Sequence, residues 1–149
     1  MNDQAGDDLI EAVRALARAS RFLERSSDEL SLAHYRVLAA IASGDERASR
    51  VAQRLAIGRP TISAAVDALS QRGLLSRRTV EGDQRATALH LTEEGAALLA
   101  RVEAAMVERL EALAMRTPDG SQLVRTLIWL GGAIDEVQAE RLVQSRSNL

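Results

Sequence analysis

Residues 83–95 have the sequence DQRATALHLTEEG, in which a strand pattern passes directly into a helix start. Leu89 and Leu91 alternate with His90, which is the period-two pattern of a half-buried β-strand. Thr92 then stands at the position of a helix N-cap, and two glutamates follow it where the helix dipole favours carboxylates. This stretch therefore predicts a strand that ends where a helix begins.

A second strand is predicted just upstream of this one. Residues 74–79, LLSRRT, are separated from 85–91 by a short polar segment that contains Gly82. Two short strands joined by a glycine-containing turn are typical of a β-hairpin. We therefore expect a hairpin, or wing, with Gly82 at its tip.

The segment before the wing has the pattern of a helix-turn-helix. A third helix over about 48–55 is followed by the turn 56–58, which ends on glycine. A fourth helix begins at Arg59 and Pro60, where the missing N–H of proline costs nothing, and stops at Gly73. Its predicted buried residues are Ile62, Val66 and Leu69.

Two further helices are predicted on the N-terminal side of this motif. The first follows Asp7 and Asp8, and its apolar face recurs with a period of 3.6. Ser31 caps the second helix, which ends near residues 43–44. The predicted apolar face of the first helix is Leu9, Val13, Leu16, Ala17, Ser20 and Leu23. The predicted buried stripe of the second is Tyr35, Leu38, Ile41 and Ala42.

The C-terminal part of the chain predicts two long helices. The fifth runs for about 20 residues after Thr92, and the sixth begins near Thr117 and Pro118. Apolar residues of the sixth helix cover more than one face, so this helix needs a second surface to cover it. These apolar residues are Leu123, Leu127, Ile128, Leu130, Ile134, Val137 and Leu142.

Composition agrees with a mostly α fold that carries a small hairpin. The 149 residues suit one domain, or one domain with a dimerisation module, and 46% of them are hydrophobic. Alanine and leucine dominate, and only Phe22, Tyr35 and Trp129 are aromatic. Without cysteine there are no disulfides or thiolate metal sites. The acidic start is unlike a signal peptide and no apolar run is long enough for a membrane span, so we expect a cytoplasmic protein.

Charge is unevenly distributed along the chain. Residues 47–85 hold eight arginines and three acids, a net charge of +5, whereas the rest holds 11 arginines and 18 acids. This pattern fits a basic nucleic-acid-binding module flanked by acidic segments, or an ordinary solvated surface. All 19 basic residues are arginine, which, with the alanine content, favours a G+C-rich bacterial source.

The sequence argues against an enzyme and against a metal or cofactor site. His34 and His90 are the only histidines, and neither lies in a metal-binding motif or beside a plausible nucleophile. Glycine-rich phosphate loops are missing, and Gly131 with Gly132 falls inside the sixth helix, where small residues permit close packing.

Residues 83–95 closely resemble the wing signature of the MarR family of bacterial transcriptional regulators: Asp-x-Arg, then Leu-x-Leu-Thr, then Gly. Residues 60–75 are similar to the recognition helix of that family and its exit, and residues 35–38 to its second helix. The resemblance covers about residues 30–95, and in helix layout the whole chain. It implies a winged helix-turn-helix homodimer on a pseudo-palindromic operator, with half-sites about 34 Å apart.

The chain departs from the family pattern in two places, at the start of the third helix and around the fourth. Arg47 and Arg50 replace the usual cap and glutamate of the third helix, so its cap must come from elsewhere, with Asp45 as the candidate. Gly58 and Ala64 stand where members often have a serine and a basic residue. Base readout is therefore harder to assign.

The resemblance and the helix pattern together nominate DNA-contacting residues. Base contacts are expected at the start of the fourth helix, from Arg59, Pro60, Thr61, Ser63 and Ala64. Backbone or wing contacts are expected from Arg54, Arg72, Arg77, Arg78 and Arg85. The resemblance implies that Arg85 enters the minor groove or meets its phosphates; a surface ion pair is the alternative. Asp83 is interpreted as orienting a wing arginine such as Arg77, or as a simple turn residue.

The resemblance also implies domain organisation and a regulatory ligand. Residues 1–30 and 93–149 would dimerise, and residues 31–92 would bind DNA. Family members often hold a small aromatic or phenolic effector where these parts meet, and the polar candidates here are Arg14, Arg18, Arg21, His34 and Tyr35. We expect a repressor that the effector releases from DNA. The alternative is a winged-helix module for protein–protein contacts.

Overall fold

The computed structural model describes residues 3–44, 46–80 and 83–147, with side chains except at positions 3, 80, 83–86, 142 and 145–147. Its mostly helical architecture with one two-stranded hairpin confirms the predicted fold class. The elements are α1 (Asp3–Glu24), α2 (Leu32–Ala42), α3 (Ala48–Leu55), α4 (Arg59–Gln71), β1 (Leu75–Val80), β2 (Asp83–Leu91), α5 (Glu93–Ala114) and α6 (Gly120–Ser147).

The middle lobe, from α2 to β2, contains most of the hydrophobic core. The Ser31 side chain caps α2 by accepting a hydrogen bond from the His34 backbone N–H at 3.2 Å, which confirms the predicted cap. Leu38 is fully buried, as predicted, but Ala42 is exposed, which corrects its place in the buried stripe. The buried side of α2 is instead Val37, Leu38, Ala40 and Ile41, because α2 packs against α3, α4, α5 and β2 together.

The helix-turn-helix has the predicted bounds. Ala56, in the turn, adopts a left-handed conformation with φ 52°, and the Ile57 N–H donates to the Ala52 carbonyl at 3.0 Å. The N-cap of α3 is Arg47, which makes no side-chain capping hydrogen bond, and the candidate cap Asp45 lies outside the described residues. The predicted buried face of α4, Ile62, Val66 and Leu69, is confirmed.

The wing is an antiparallel pair in which Leu75 lies opposite Leu91 and Arg77 opposite Leu89. Leu89 is buried as predicted, and Ala88, on the other face of the strand, is buried as well. The Leu89 N–H donates to the Glu46 carbonyl at 2.6 Å, so the connection between α2 and α3 also hydrogen-bonds to the hairpin. The expected tip, Gly82, lies outside the described residues.

A close backbone approach joins α5 to the exit of α4. The Thr92 hydroxyl accepts from the Gly95 N–H at 3.0 Å and donates to the Gly73 carbonyl at 2.6 Å. A Cβ atom on Gly95 would lie 2.0 Å from the carbonyl oxygen of Leu74, far inside van der Waals contact. The threonine cap and the glycine three residues later are therefore both required by this junction.

The terminal helices are far less buried than the middle lobe. Helix α1 begins at Asp3, so Asp7 and Asp8 lie inside the helix rather than before it, where the sequence predicted them. Helix α6 begins two residues after Pro118, where the Asp119 carboxylate accepts from the Gln122 N–H at 2.8 Å. Within the described residues, no helix has both the length and the apolar character that a bilayer crossing needs.

Candidate nucleic-acid interface

The exposed start of α4 is the centre of the candidate interface. Because Ile62 points into the core, the side chains around it point outwards, and all five predicted base-contacting residues are exposed. Pro60 lies in the first turn, where its ring fixes the backbone without removing a needed hydrogen bond. This helix end therefore presents short polar and apolar groups beside one guanidinium, that of Arg59.

Helix α3 adds positive charge next to this surface. Arg47, Arg50 and Arg54 are all exposed on α3 or its N-cap, and α3 packs directly against α4. The inner side of α3 is fixed by Val51 and Ala52, both of which are buried. The basic residues are thus held on the outer side of a rigid two-helix unit.

An ion pair ties the wing to α4. The Arg77 guanidinium on β1 donates to the Asp67 carboxylate on α4, with about half of each side chain exposed to solvent. Asp67 is therefore the described partner of Arg77, and the side chain of Asp83 lies outside the described ones. Pairing neutralises a carboxylate on the same helix that carries the predicted base contacts, so it reduces repulsion of a phosphate backbone.

Arg72 has a structural contact of its own. Its guanidinium donates to the backbone carbonyl of Glu29 at 2.7 Å, and the Glu29 carboxylate accepts from Arg101 at 3.1 Å. Glu29 thereby links the loop before α2 to α4 and α5. Sequence reasoning missed this contact, because the residues involved are 43 and 72 positions apart.

The wing places Arg78 on its exposed surface, opposite Ala88 in the strand register. The backbones of Asp83 and Arg85 belong to β2, but their side chains are not among those described. The proposed minor-groove role of Arg85 therefore stays a prediction. Its strand position agrees with the predicted hairpin.

The five effector candidates do not share one described cavity. Arg14 and Arg18 line a groove formed by α1 itself, together with Asp8 and Glu11. Arg21 forms an ion pair with Glu24 on the same helix at 3.2 Å, and the His34 N–H is used by the Ser31 cap. The cavities described in a single chain thus do not bring these five residues together.

Tyr35 is half-buried beside α5. Its hydroxyl donates to the Glu103 carboxylate at 3.5 Å. Burial raises the pKa of Tyr35 above its ordinary value of 10.0, and the negative charge and hydrogen bond of Glu103 raise it further. Tyr35 is therefore a neutral hydrogen-bond donor at neutral pH.

The model of the MarR family matches residues 28–86. The transcriptional regulator PecS of Dickeya dadantii (strain 3937) is 32% identical over 106 residues, which cover 64% of this chain and 64% of PecS. The sequence of the middle lobe is therefore similar to that of the MarR family. The match spans just under two thirds of the length of PecS.

Two solved structures share the fold of most of this chain. The transcriptional repressor CouR, bound to a 23-mer DNA duplex, is 28% identical with a TM-score of 0.71, covering 83% of this chain and 89% of CouR. CouR from Rhodococcus jostii RHA1 bound to p-coumaroyl-CoA matches at 22% identity with a TM-score of 0.69, covering 88% of this chain and 96% of CouR.

Proposed function

We propose that this protein belongs to the MarR family and is a homodimeric transcriptional regulator that binds a pseudo-palindromic DNA operator and represses transcription from it. The observation that carries the proposal is the exposed start of α4 between basic α3 and the wing. A helix with this exposure can enter a major groove, where its first residues meet base edges. The related repressor CouR, whose structure contains a DNA duplex, supports this choice.

The place of each residue on α3, α4 or the wing determines its proposed role in DNA binding. Arg59, Thr61 and Ser63 would contact base edges with Pro60 and Ala64 beside them, and Arg54 and Arg78 would contact the phosphate backbone. Arg85 would contact the minor groove, with Asp83 orienting the wing. Arg77 and Arg72 would contact the phosphate backbone too, and their contacts with Asp67 and Glu29 would also hold α4 in place.

Dimerisation is proposed from the uncovered apolar surface. Ile128 is 68% exposed, Trp129 64% and Val13 66% in the single chain. Monomeric soluble proteins rarely leave such large side chains clustered in water. Two copies that cover these faces through residues 1–30 and 93–149 would hold two DNA-binding lobes, residues 31–92, about 34 Å apart.

Release by a small ligand is the regulatory part of the proposal. The ligand would be a small aromatic or phenolic compound held near Arg14, Arg18, Arg21, His34 and Tyr35, with the partner chain completing the site. The structure of CouR with p-coumaroyl-CoA supports the idea that this fold accommodates a phenolic group. Such a ligand weakens DNA binding only if it binds more tightly when the spacing of the two DNA-binding lobes does not fit DNA.

Footprinting on the DNA upstream of its own gene, followed by titration of the protected duplex at several salt concentrations, tests the proposal. We expect the logarithm of the association constant to fall with the logarithm of salt concentration with a slope of about −5 or steeper. A scrambled duplex of equal length should bind at least about a hundredfold more weakly. Weak binding that does not depend on DNA sequence would instead favour the alternative function, a winged-helix module for protein–protein contacts.

A further inference from the structure

Two arginines of α5 contact the segment that leads from α1 to α2. Arg109 donates from Nη1 to the Phe22 carbonyl oxygen, in the last turn of α1, at 3.3 Å, and its guanidinium carbon lies 5.1 Å from the centre of the Phe22 ring. The last carbonyls of a helix have no partner within it, and the helix dipole favours a cation beside them. Arg109 therefore holds the end of α1 through both the backbone and the aromatic ring of Phe22.

Arg101 makes the second contact, about 12 Å closer to the N-terminus of α5. It donates from Nη2 to the Glu29 carboxylate at 3.1 Å, and the Glu29 carbonyl accepts from Arg72, the C-cap of α4, at 2.7 Å. Leu30, the next residue, is buried, so the backbone at Glu29 is anchored in the core. The end of α4 is thereby connected to α5 through Glu29.

Helix α1 has little else that fixes its direction within one chain. It packs mainly against α5, and its apolar residues Leu9 and Val13 are 63% and 66% exposed. In the proposed dimer, α1 contacts the partner chain while the start of α4 contacts DNA. Because Arg109 and Arg101 hold α1 and α4 on the same helix, they fix the partner chain relative to the DNA-contacting surface.

We propose that Arg101 and Arg109 are positioning residues that restrict the dimer to one spacing of DNA half-sites. One added base pair moves a half-site by about 3.4 Å and rotates it by about 35° around the duplex axis. A dimer in which α1 and α4 are both held on α5 does not follow this displacement, whereas a dimer that has lost either contact does. The proposal rests on the proposed function, because it requires two half-sites bound by one dimer.

Operators of altered spacing test the proposal. The footprinted operator and two duplexes, with one base pair inserted or removed between the half-sites, are titrated with protein and followed by fluorescence anisotropy. We expect the wild-type protein to bind each altered duplex at least about tenfold more weakly, and Arg109→Ala or Glu29→Gln to reduce this ratio to about threefold or less. The preference for the half-site sequence should stay unchanged, because neither residue is a proposed DNA contact. A wild-type ratio in both variants would overturn the proposal, and in one variant it would remove that contact from it.

An exchanged ion pair and a matched control complete this test. Glu29→Arg combined with Arg101→Glu rebuilds the pair in the reverse sense and should restore the wild-type ratio. An exchange variant that discriminates no better than Glu29→Gln would exclude the ion pair as the cause. Arg116→Ala is the control, because Arg116 donates to the Ala112 carbonyl of α5 itself, at 2.6 Å, and its loss should keep the wild-type ratio. A control that also lost discrimination would contradict a specific role of Arg101 and Arg109.

A measurement without DNA separates this proposal from the proposed function. The chain has no cysteine, so Glu11→Cys on α1 and Gln53→Cys on α3, both at exposed positions, allow two spin labels to be attached to one chain. With labelled chains diluted in unlabelled protein, double electron–electron resonance measures the distance between the two labels within one chain. We expect the distance distribution of Arg109→Ala to be at least about 1.5-fold wider than that of the protein with Arg109 intact. Equal widths would overturn the positioning of α1, whereas a wider distribution in a protein that binds no DNA would refute the proposed function alone.

Discussion

The middle lobe and the terminal helices place their apolar side chains in opposite environments. Leu38 and Leu69 of the middle lobe are fully buried within the single chain, whereas Leu9 of α1 and Ile128 of α6 are 63% and 68% exposed. Both regions nevertheless show clear helical apolar patterns in the sequence. The difference shows that the middle lobe, together with the first half of α5, completes its core within one chain, while the exposed faces of the terminal helices need a second surface.

Helix α5 joins the two regions. Its first half carries Leu98, Val102 and Met106 into the core, whereas Val107 in its second half and Met115 at its C-cap are exposed. The free energy of folding of the middle lobe and that of dimerisation should therefore respond to different substitutions.

The largest effect is expected at the junction of α5 with the middle lobe. Gly95→Ala places a methyl group 2.0 Å from the Leu74 carbonyl oxygen, so the backbones must separate. We expect a loss of about 4 kcal/mol or more in the free energy of unfolding, measured by urea denaturation. Gly6→Ala, with open space around its Cβ, is the control and should be neutral or slightly stabilising. Equal behaviour of the two variants would contradict the described junction.

Leu69→Ala in the core should affect the stability of the fold, whereas Ile128→Glu on α6 should affect dimerisation. Leu69→Ala should lower the free energy of unfolding by about 3 kcal/mol, because it opens a cavity in a fully buried site. Ile128→Glu should leave the far-ultraviolet circular dichroism unchanged and convert the dimer to monomer in sedimentation velocity. A dimer that tolerates Ile128→Glu would remove α6 from the proposed interface.

Much of the structure of the middle lobe could be predicted from the sequence, because the patterns that determine its helix ends and buried faces are local. The Ser31 and Thr92 caps, the α4 apolar face and the Gly73 stop each depend on residues within a few positions. The Arg77–Asp67 pair and the Arg72–Glu29 contact join distant residues, and no local pattern marks them. Ala42 was misassigned because a helix packed on several sides does not bury a single stripe.

The wing should contribute to DNA binding without contributing to assembly. We expect Arg85→Ala to weaken operator binding more than about tenfold, equivalent to about 1.4 kcal/mol, with the dimer intact by sedimentation. Arg72→Ala is the comparison, because its guanidinium is held by the Glu29 carbonyl and its loss should reduce stability more than affinity. Unchanged affinity in Arg85→Ala would exclude the wing from the mechanism.

A smaller effect is expected in the turn of the helix-turn-helix. Ala56 has φ 52°, a left-handed conformation that costs an alanine about 1 kcal/mol and a glycine little. Ala56→Gly should therefore raise the free energy of unfolding by up to about 1 kcal/mol, measured by thermal denaturation. Ala64→Gly, at an exposed site within helix α4, should destabilise by a similar amount. A destabilising Ala56→Gly substitution would contradict the described turn.

The smallest effect concerns pH. Tyr35 is the only tyrosine and the chain has no lysine or cysteine, so absorbance at 295 nm and stability near pH 10 both report on this phenol. Its raised pKa means that the folded state holds the phenol proton more tightly than the unfolded state does. The resulting contribution of Tyr35 to the free energy of unfolding is therefore full below pH 10.0, and it declines as pH rises through the folded-state pKa.

Two variants check the cause of this shift. Glu103→Gln should lower the pKa of Tyr35 only part of the way, because burial is the larger cause. Tyr35→Phe should abolish the change at 295 nm and reduce the loss of stability above pH 10.0. A wild-type midpoint below 10.0 would contradict the described environment of Tyr35.

The central claim is that the uncovered terminal helices pair two middle lobes on one DNA duplex. Analytical ultracentrifugation of the protein with its footprinted duplex tests this directly. Two chains per duplex are expected, with two protected half-sites about 34 Å apart, and the protein should also be a dimer without DNA. One chain per duplex, or a monomer at micromolar concentration without DNA, would contradict it.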